Sequence, residues 1–449
     1  MEKVYSLTPL QEGIWNQIKL FGESTEYEIP CFIEISKSYT DIDIEKALQK
    51  IVHYNSVLRT NVFGSSKPKQ SISDSREITL NVEYFDDNIE DEILRTFLNS
   101  NFVNIDSQLS IFKLYCFPRR KILACKFHHI IFDGYSVSLF ERELNLLLTG
   151  KSLDKSGGEY EELLENKNSS YSERSKLFWK KYLAQPIEIL ESNNFNSLQG
   201  RKRTSRKLDL KVSDLKKYAM EYGSTEFCLA LAAIKTFSCC FFNKPDLVIA
   251  TPINTRKTIP DNSTMNFMVN VLPIIMSITP DISFTKIHSH IRDTLVKLID
   301  YCDYPTLKIN NDLKKINKIE KLGNMFSIVF DMKIVDNSEL ERISMDYSTE
   351  TEYPFLISLN LSGDSVYLEL NYDQSIISDL VASEFQNSFK VFINLFLENQ
   401  DRIIAELPLT SDSLQDKELN LTIEESDYSK QALDASFINK ENTEIICDN

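Results

Sequence analysis

Residues 126–136 read KFHHIIFDGYS, placing two adjacent histidines, an aspartate four positions after the second and a glycine directly behind it, in a chain with only five histidines. A neutral imidazole can take a proton from an incoming amine or hydroxyl as that nucleophile attacks a thioester, so acyl transfer without a covalent intermediate needs a single base. Asp133 lies too near in sequence to orient the ring of His129 comfortably. An arginine from elsewhere is the better partner, forming a buried ion pair that fixes the loop. Gly134 would let the backbone come close to a bulky thioester. The competing reading makes His128 and His129 core polar groups satisfied by hydrogen bonds. His53 reads as a surface or packing residue. His288 and His290 lie two apart, which is not the i,i+3 or i,i+4 spacing of a helical metal pair, and no metal is expected.

The flanking segments say where this motif sits. LSIFKLYCF and KILACKFHHI are two β-like runs separated by PRR, a hairpin pattern. SVSLFERELNLLLTG then returns to helical spacing, with Val137, Phe140, Leu144 and Leu147 on one face and Gly150 as the C-cap. The histidines therefore fall between the end of a strand and the start of a helix. Earlier, LTPLQEGIWNQIKLF carries a complete helix start: Thr8 as N-cap, Pro9 in the first turn, Gln11 closing a capping box and Leu7 as hydrophobic staple. DIDIEKALQKIVHYN repeats Ile44, Ala47, Leu48, Ile51 and Val52 at helical period.

Beyond a polar stretch and LFWKKYL, residues 184–207 read as a linker. The second half restarts with helical SDLKKYAMEYG, an apolar buried helix TEFCLALAAIKTFSCCFF and a strand DLVIATPI. It continues through the helix SFTKIHSHIRDTLVKLID, the strand NMFSIVFDMKIV, a hairpin turning at Gly363-Asp364 and the helix SDLVASEFQNSFKVFINLFLEN. The expected organisation is a first lobe over 1–183, a second over 184–412 and a polar linker over 413–449. The similar order of elements in the two halves suggests related lobes of α/β (α+β) class.

With 449 residues, 42% of them hydrophobic, the chain can bury large cores. A formal net charge of -16 argues against a nucleic-acid surface, which needs clustered Lys and Arg. Eight cysteines without a CxxC pair, three of them (Cys228, Cys239, Cys240) inside an apolar helical run, fit buried thiols in a reducing compartment. The opening MEKVYSLTPLQEG has no basic segment followed by an apolar core, and no apolar stretch reaches spanning length, so no membrane association and a cytoplasmic location are expected. Two basic clusters, RRK at 119–121 and RKRTSRK at 201–207, interrupt the acidic background. Each is either a solvated turn or linker, or a surface that steers an acidic carrier protein.

HHIIFDG resembles the HHxxxDG signature of nonribosomal peptide synthetase condensation domains, within the chloramphenicol-acetyltransferase-like superfamily. Other segments follow in the family's order. YSLTPLQEGIW resembles the opening motif; HYNSVLRTNVF resembles RHExLRTxF with Arg59 and Thr60 in place; IATPINTR supplies the strand and Arg256 ahead of the crossover. NFMVNVLP resembles GxFVNTxP with Val269, Asn270 and Pro273, YCDYPTL resembles HQDYPFE with Asp303, Tyr304 and Pro305, and AELPLTSD resembles the closing segment. The resemblance covers residues 4–412. It implies two chloramphenicol-acetyltransferase-like lobes, each a sheet flanked by helices, arranged in a V around a central tunnel. It also implies His129 as base or positioning group, His128 as mainly structural, and Asp133 as architectural and paired with Arg256 or Arg59. Asn270 would line the tunnel or cap a strand end; Ser136 would line it or serve as a helix N-cap. Asn266 in place of the family's glycine, and a YCDYPTLK segment lacking the usual His-Gln and Phe-Glu, put the tunnel lining in question.

The resemblance further implies no directly bound cofactor. Substrates arrive on the 4'-phosphopantetheine arms of carrier proteins, or the donor arrives as acyl-coenzyme A. The expected partners are an acceptor peptidyl carrier protein, a donor carrier protein or acyl-coenzyme A, and an adjoining adenylation domain, to which ASFINKENTEIICDN bears a weak resemblance. The isolated domain is expected to be monomeric. Met1 stands directly at the first motif, which suggests a front position and a starter domain that N-acylates an amino acid. Ordinary condensation between two aminoacyl carriers, a non-catalytic recruitment module of the same fold, and a free-standing ester-forming transferase are the alternatives.

Overall fold

The computed structural model describes residues 3–100, 103–105, 108–155, 157, 159–166, 171–190, 200–318, 325–335 and 353–406. The sequence signals for local structure translate directly. Thr8 accepts from the Gln11 backbone while the Gln11 side chain accepts from the Thr8 backbone, starting the helix Pro9–Phe21. The helix Gly134–Leu148 buries Val137, Phe140 and Leu144, with Leu147 half-buried. Its end is closed by Gly150 at φ +79, where the Lys151 and Gly150 amides donate to the Leu146 and Leu147 carbonyls. That left-handed position is one a Cβ disfavours. Gly363, at φ +56, makes the two-residue turn between the strands Phe355–Ser362 and Ser365–Asp373.

Three sheets organise the described residues. A four-stranded sheet runs in the order Glu28–Ile35, Lys121–His128, Ser110–Cys116, Asn81–Tyr84. Its strand Lys121–His128 is interior, with Leu123, Cys125 and Phe127 in one core and Ile122 and Ala124 in a second on the opposite face. Burial on both faces explains why this strand reads as a continuous apolar run instead of alternating. A three-stranded sheet has the order Lys3–Ser6, Lys69–Ile72, Thr60–Phe63. The six-stranded sheet belongs to the second half: Val269–Ile274, Ile249–Asn254, Ile328–Val335, Phe355–Ser362, Ser365–Asp373, Arg201–Lys211. Helices Glu226–Phe241, Phe284–Asp300 and Asp379–Glu398 cover one face of it, through rings such as Phe237, Phe385, Phe389 and Phe392.

The cores separate along the chain, with one telling exception. Residues from Leu7 to Leu164 form one cluster, and Trp179 to Ile404 form another. Met265 and Met268, from the second half, join the first cluster together with partly buried Phe267. A segment therefore crosses back from the second lobe to the first.

Two sequence readings need correction. The helix Glu173–Tyr182 does not close the first lobe at residue 183: Trp179 and Leu183 are buried in the second core, and the Trp179 indole donates to the Tyr301 carbonyl at 3.0 Å. The basic stretch 201–207 is no linker but part of the strand Arg201–Lys211, the outermost strand of the described six-stranded sheet. The other basic cluster is a hairpin turn whose Arg120 and Lys121 pair with Glu34, Glu90 and Asp41. Part of the 184–207 stretch and all of 413–449 lie outside the described residues. No single helix among the described residues is long and apolar enough to cross a membrane.

Because Trp179 is wholly buried in the second core, Trp179→Ala is expected to destabilise that core by about 3–5 kcal/mol. Denaturant unfolding of the whole chain checks this, and a loss below about 1 kcal/mol would mean that the indole is not packed in that core.

Candidate active site

The strand Lys121–His128 ends at the first histidine, and its ladder extends one residue further, the His129 amide donating to the Tyr27 carbonyl at 2.7 Å. His128 is fully buried and committed on both ring nitrogens. Its Nδ1 accepts from the Ile130 amide at 3.0 Å, which puts the proton on Nε2, 3.1 Å from the Glu23 carboxylate. The same Glu23 oxygen accepts the Ile105 amide at 2.7 Å. The first histidine thus serves as a structural crosslink. The loop is also held from behind: Gln11 Nε2 donates to the Ile130 carbonyl at 2.8 Å, in a buried network with Gln70 and Tyr160. The sequence reveals Gln11 as a capping residue; its second task depends on a contact 119 positions away.

His129 stands differently. It follows the strand, keeps part of its surface accessible, and sets its Nδ1 3.2 Å from the Phe132 carbonyl. Nδ1–H donates to that oxygen, so Nε2 carries the lone pair, and no described protein group occupies it. Burial pushes the ring's pKa down from 6.5 to about 4, with the nearby His128 acting in the same direction and Asp133 and the Phe132 carbonyl opposing. A ring neutral at physiological pH, with one nitrogen tied back and the other open, is an acceptor for a proton or an N–H.

Asp133 does not touch that ring by hydrogen bond. It caps the helix Gly134–Leu148, its Oδ1 accepting from the Ser136 amide and hydroxyl, both at 2.8 Å. Arg256 meets it with both terminal nitrogens, at 2.7 Å to Oδ2 and 3.2 Å to Oδ1, and the pair is shut off from solvent. The Met268 amide adds a donor to Oδ2 at 2.9 Å. Arg256 also reaches the Asn266 carbonyl and the Ser136 hydroxyl, and its guanidinium lies 4.7 Å from the Tyr135 ring centroid. This bidentate pair welds the histidine loop to the crossing segment. Gly134 is exposed and faces open space: a Cβ there would meet nothing within 4 Å.

The remaining expected residues fall elsewhere. Arg59 is not a partner of Asp133; the residue is 9% exposed and its guanidinium donates to the carbonyls of Val52, His53 and Ser73, tying a helix end to the residue that follows the strand Lys69–Ile72. Ser136 has no exposed surface, and Asp133, not Ser136, is the N-cap; the Ser136 hydroxyl bonds Asp133 and the Asn266 carbonyl. Asn270 is 1% exposed and locks onto the Cys302 and Tyr304 carbonyls and the Thr306 amide. Both side chains are spent on architecture, which leaves neither an open polar atom for a tunnel wall. Asn266 has no positive φ, so its position makes no conformational demand for glycine. Phe267 carries no signal of its own in the sequence; its ring stands edge-on to His129, centroids 5.9 Å apart at 79°. Among the described residues no group of three or more His, Cys, Asp or Glu side chains could hold a metal ion.

Two outcomes follow from this geometry. Arg256→Ala strands a buried carboxylate, so unfolding free energy should fall by about 3–5 kcal/mol in urea titration. The His129 ring should titrate by NMR with a midpoint near about 4, its resonance assigned by its loss in His129→Ala. Since the unfolded ring protonates near ~6.5, the stability this neutral ring contributes is present above that pH and lost as pH falls between the two values.

Comparison with known proteins bears on what this arrangement is. The family model described as "Condensation domain" matches residues 1–419. Gramicidin S synthase 2 of Brevibacillus brevis is 20% identical over 434 residues, covering 92% of this chain and 10% of that protein. Bacitracin synthase 3 of Bacillus licheniformis is 22% identical over 403 residues, covering 84% of this chain and 6% of that protein. The chain thus spans only a small fraction of the length of these relatives. Among solved structures, a variant of the starter condensation domain of rhizomide synthetase in complex with C8-CoA superposes with a TM-score of 0.76 at 16% identity, covering 90% of this chain and 97% of that one. A four-domain nonribosomal peptide synthetase bound to AMP and glycine superposes with a TM-score of 0.78 at 16% identity, covering 91% of this chain and 34% of that one. With a family model matched over nearly its whole length and the two-lobed fold of those structures, the chain belongs to the condensation-domain family.

Proposed function

We propose that this chain forms amide bonds by bringing the amine of a carrier-bound aminoacyl group against a donor acyl thioester. The observation that carries this reading is the disposition of His129: neutral, partly accessible, Nδ1 held by the Phe132 carbonyl and Nε2 open, at the place where the crossing segment of the second lobe meets the first. As the amine nitrogen bonds to the thioester carbon, Nε2 accepts one of its protons; the tetrahedral centre then collapses, the C–S bond breaks, and the departing sulfur takes that proton from the imidazolium to leave as a thiol. Holding amine and thioester together in a passage between the lobes supplies much of the acceleration by proximity, and the imidazole adds orientation or proton transfer. Asp133, Arg256, His128 and Arg59 act as scaffold. The open space beside Gly134 leaves room for the thioester arm.

The substrates would be presented on 4'-phosphopantetheine arms, with an acceptor peptidyl carrier protein and an adjoining adenylation domain as partners and the isolated domain monomeric. For the donor we favour an acyl group on coenzyme A or a carrier protein, making this a starter, N-acylating domain. The likeness to a starter domain solved with C8-CoA supports that subtype. Condensation between two aminoacyl carriers is the second reading, supported by a comparable likeness to a four-domain synthetase.

In a single-turnover assay with loaded acceptor carrier, His129→Ala is expected to slow amide formation by about 100-fold or more. Full product formation by that variant would reject the role of the imidazole. Acyl-coenzyme A outcompeting an aminoacyl-carrier donor in the same assay would mark the starter subtype, and the reverse order would mark ordinary condensation.

A further inference from the structure

The crossing segment returns to the first lobe through Asn266, Phe267 and Met268, and its anchoring is uneven. Asn266 is buried, its amide donating to the Ser136 hydroxyl and its carbonyl accepting from Arg256. Met268 is buried in the first core, its amide on Asp133 and its carbonyl accepting from Thr255. Phe267, between them, donates its amide to the Asn266 side chain at 2.7 Å and keeps its ring partly accessible. The residues on either side are clamped, so the ring has little freedom to retreat. It stands nearly perpendicular to the imidazole of His129.

The strands that lead away from Phe267 carry apolar residues on its face, interrupted by Asn254. The ladder between Ile249–Asn254 and Val269–Ile274 extends one pair further, through the Thr255 amide and the Met268 carbonyl. Alternation along these strands puts Phe267, Val269 and Val271 on one face with Pro252, Asn254 and Arg256. That is the face from which Arg256 reaches Asp133, so it faces the histidine loop. Val269, Val271 and Pro252 are partly accessible. Phe267, whose ring lies against the imidazole of His129, thus heads a strip that continues through Val269, Val271 and Pro252.

We propose that Phe267 determines specificity: its ring bounds the space beside the reacting atoms and limits the bulk of the apolar substituent carried there. This rests on the amide-forming reading above. The substituent could come from two sources, the acyl chain of the donor or the side chain of the acceptor amino acid, and the same chemistry would recognise either. Truncating the ring opens room that a bulkier apolar group can fill, and hydrophobic pockets discriminate through just such differences in volume.

The test compares wild type, Phe267→Ala and Phe267→Leu in two series. One varies donor chain branching against a fixed aminoacyl carrier; the other varies acceptor side-chain bulk against a fixed donor. The expected result is that Phe267→Ala moves the kcat/KM ratio of bulkiest to smallest substrate by about 10-fold or more toward bulk, in one series only, with Phe267→Leu intermediate. The series that moves identifies the source. Unchanged ratios in both series, or an equal fall on every substrate, would overturn the inference while leaving amide formation intact. Absence of amide product from the wild type would instead bring down the reading beneath it.

Discussion

A buried ion pair between Asp133 and Arg256 joins the halves of this molecule. Desolvating two charges is unfavourable, and their attraction offsets that only when the remaining lone pairs and protons find partners. Here they do. The carboxylate receives both terminal nitrogens of Arg256, the Ser136 amide and hydroxyl, and the Met268 amide. Those donors come from a helix start in one lobe and a crossing segment of the other. The pair therefore fixes a register between lobes, the use of buried charge for which the physical case is strongest.

The second histidine depends on that register without bonding to it. His128 absorbs the polar demands of the strand end, accepting from the Ile130 amide through Nδ1 and donating its Nε2–H to Glu23. That frees its neighbour from structural duty except through Nδ1. The environment then settles the protonation state of His129: packing withholds water from the imidazolium, and the attraction of Asp133 is too weak to restore it. Adjacent identical residues thus acquire opposite tasks, because chain direction at a strand end turns one inward and leaves the next at the boundary.

Local order is largely legible in the residues. The capping box at Thr8, the hairpin around Pro118, the turn at Gly363 and the strand-to-helix setting of His129 follow from propensities acting over a few positions. Resemblance narrows the partner of Asp133 to Arg256 or Arg59, and only the fold chooses between them. Arg59 sits at a helix end whose unpaired carbonyls capture its guanidinium. Ser136, Asn270, the second contact of Gln11 and the ring of Phe267 all take their roles from contacts more than 30 positions away in sequence. Trp179 packs in the lobe opposite to the expected one for the same reason, since a helix next to a boundary has no local signal for which side it will bury against.

The strand Arg201–Lys211 lies outermost in the described six-stranded sheet. A sheet margin presents backbone donors and acceptors that another polypeptide could zip onto, and runs of lysine and arginine are one way natural proteins discourage this. Among these cations, Lys202 pairs with Asp379, Arg203 with Glu369 and Arg206 with Asn387. The basic run that reads as a loose tether is thus a sheet border, and its lysines and arginines make that border a poor template for an added strand.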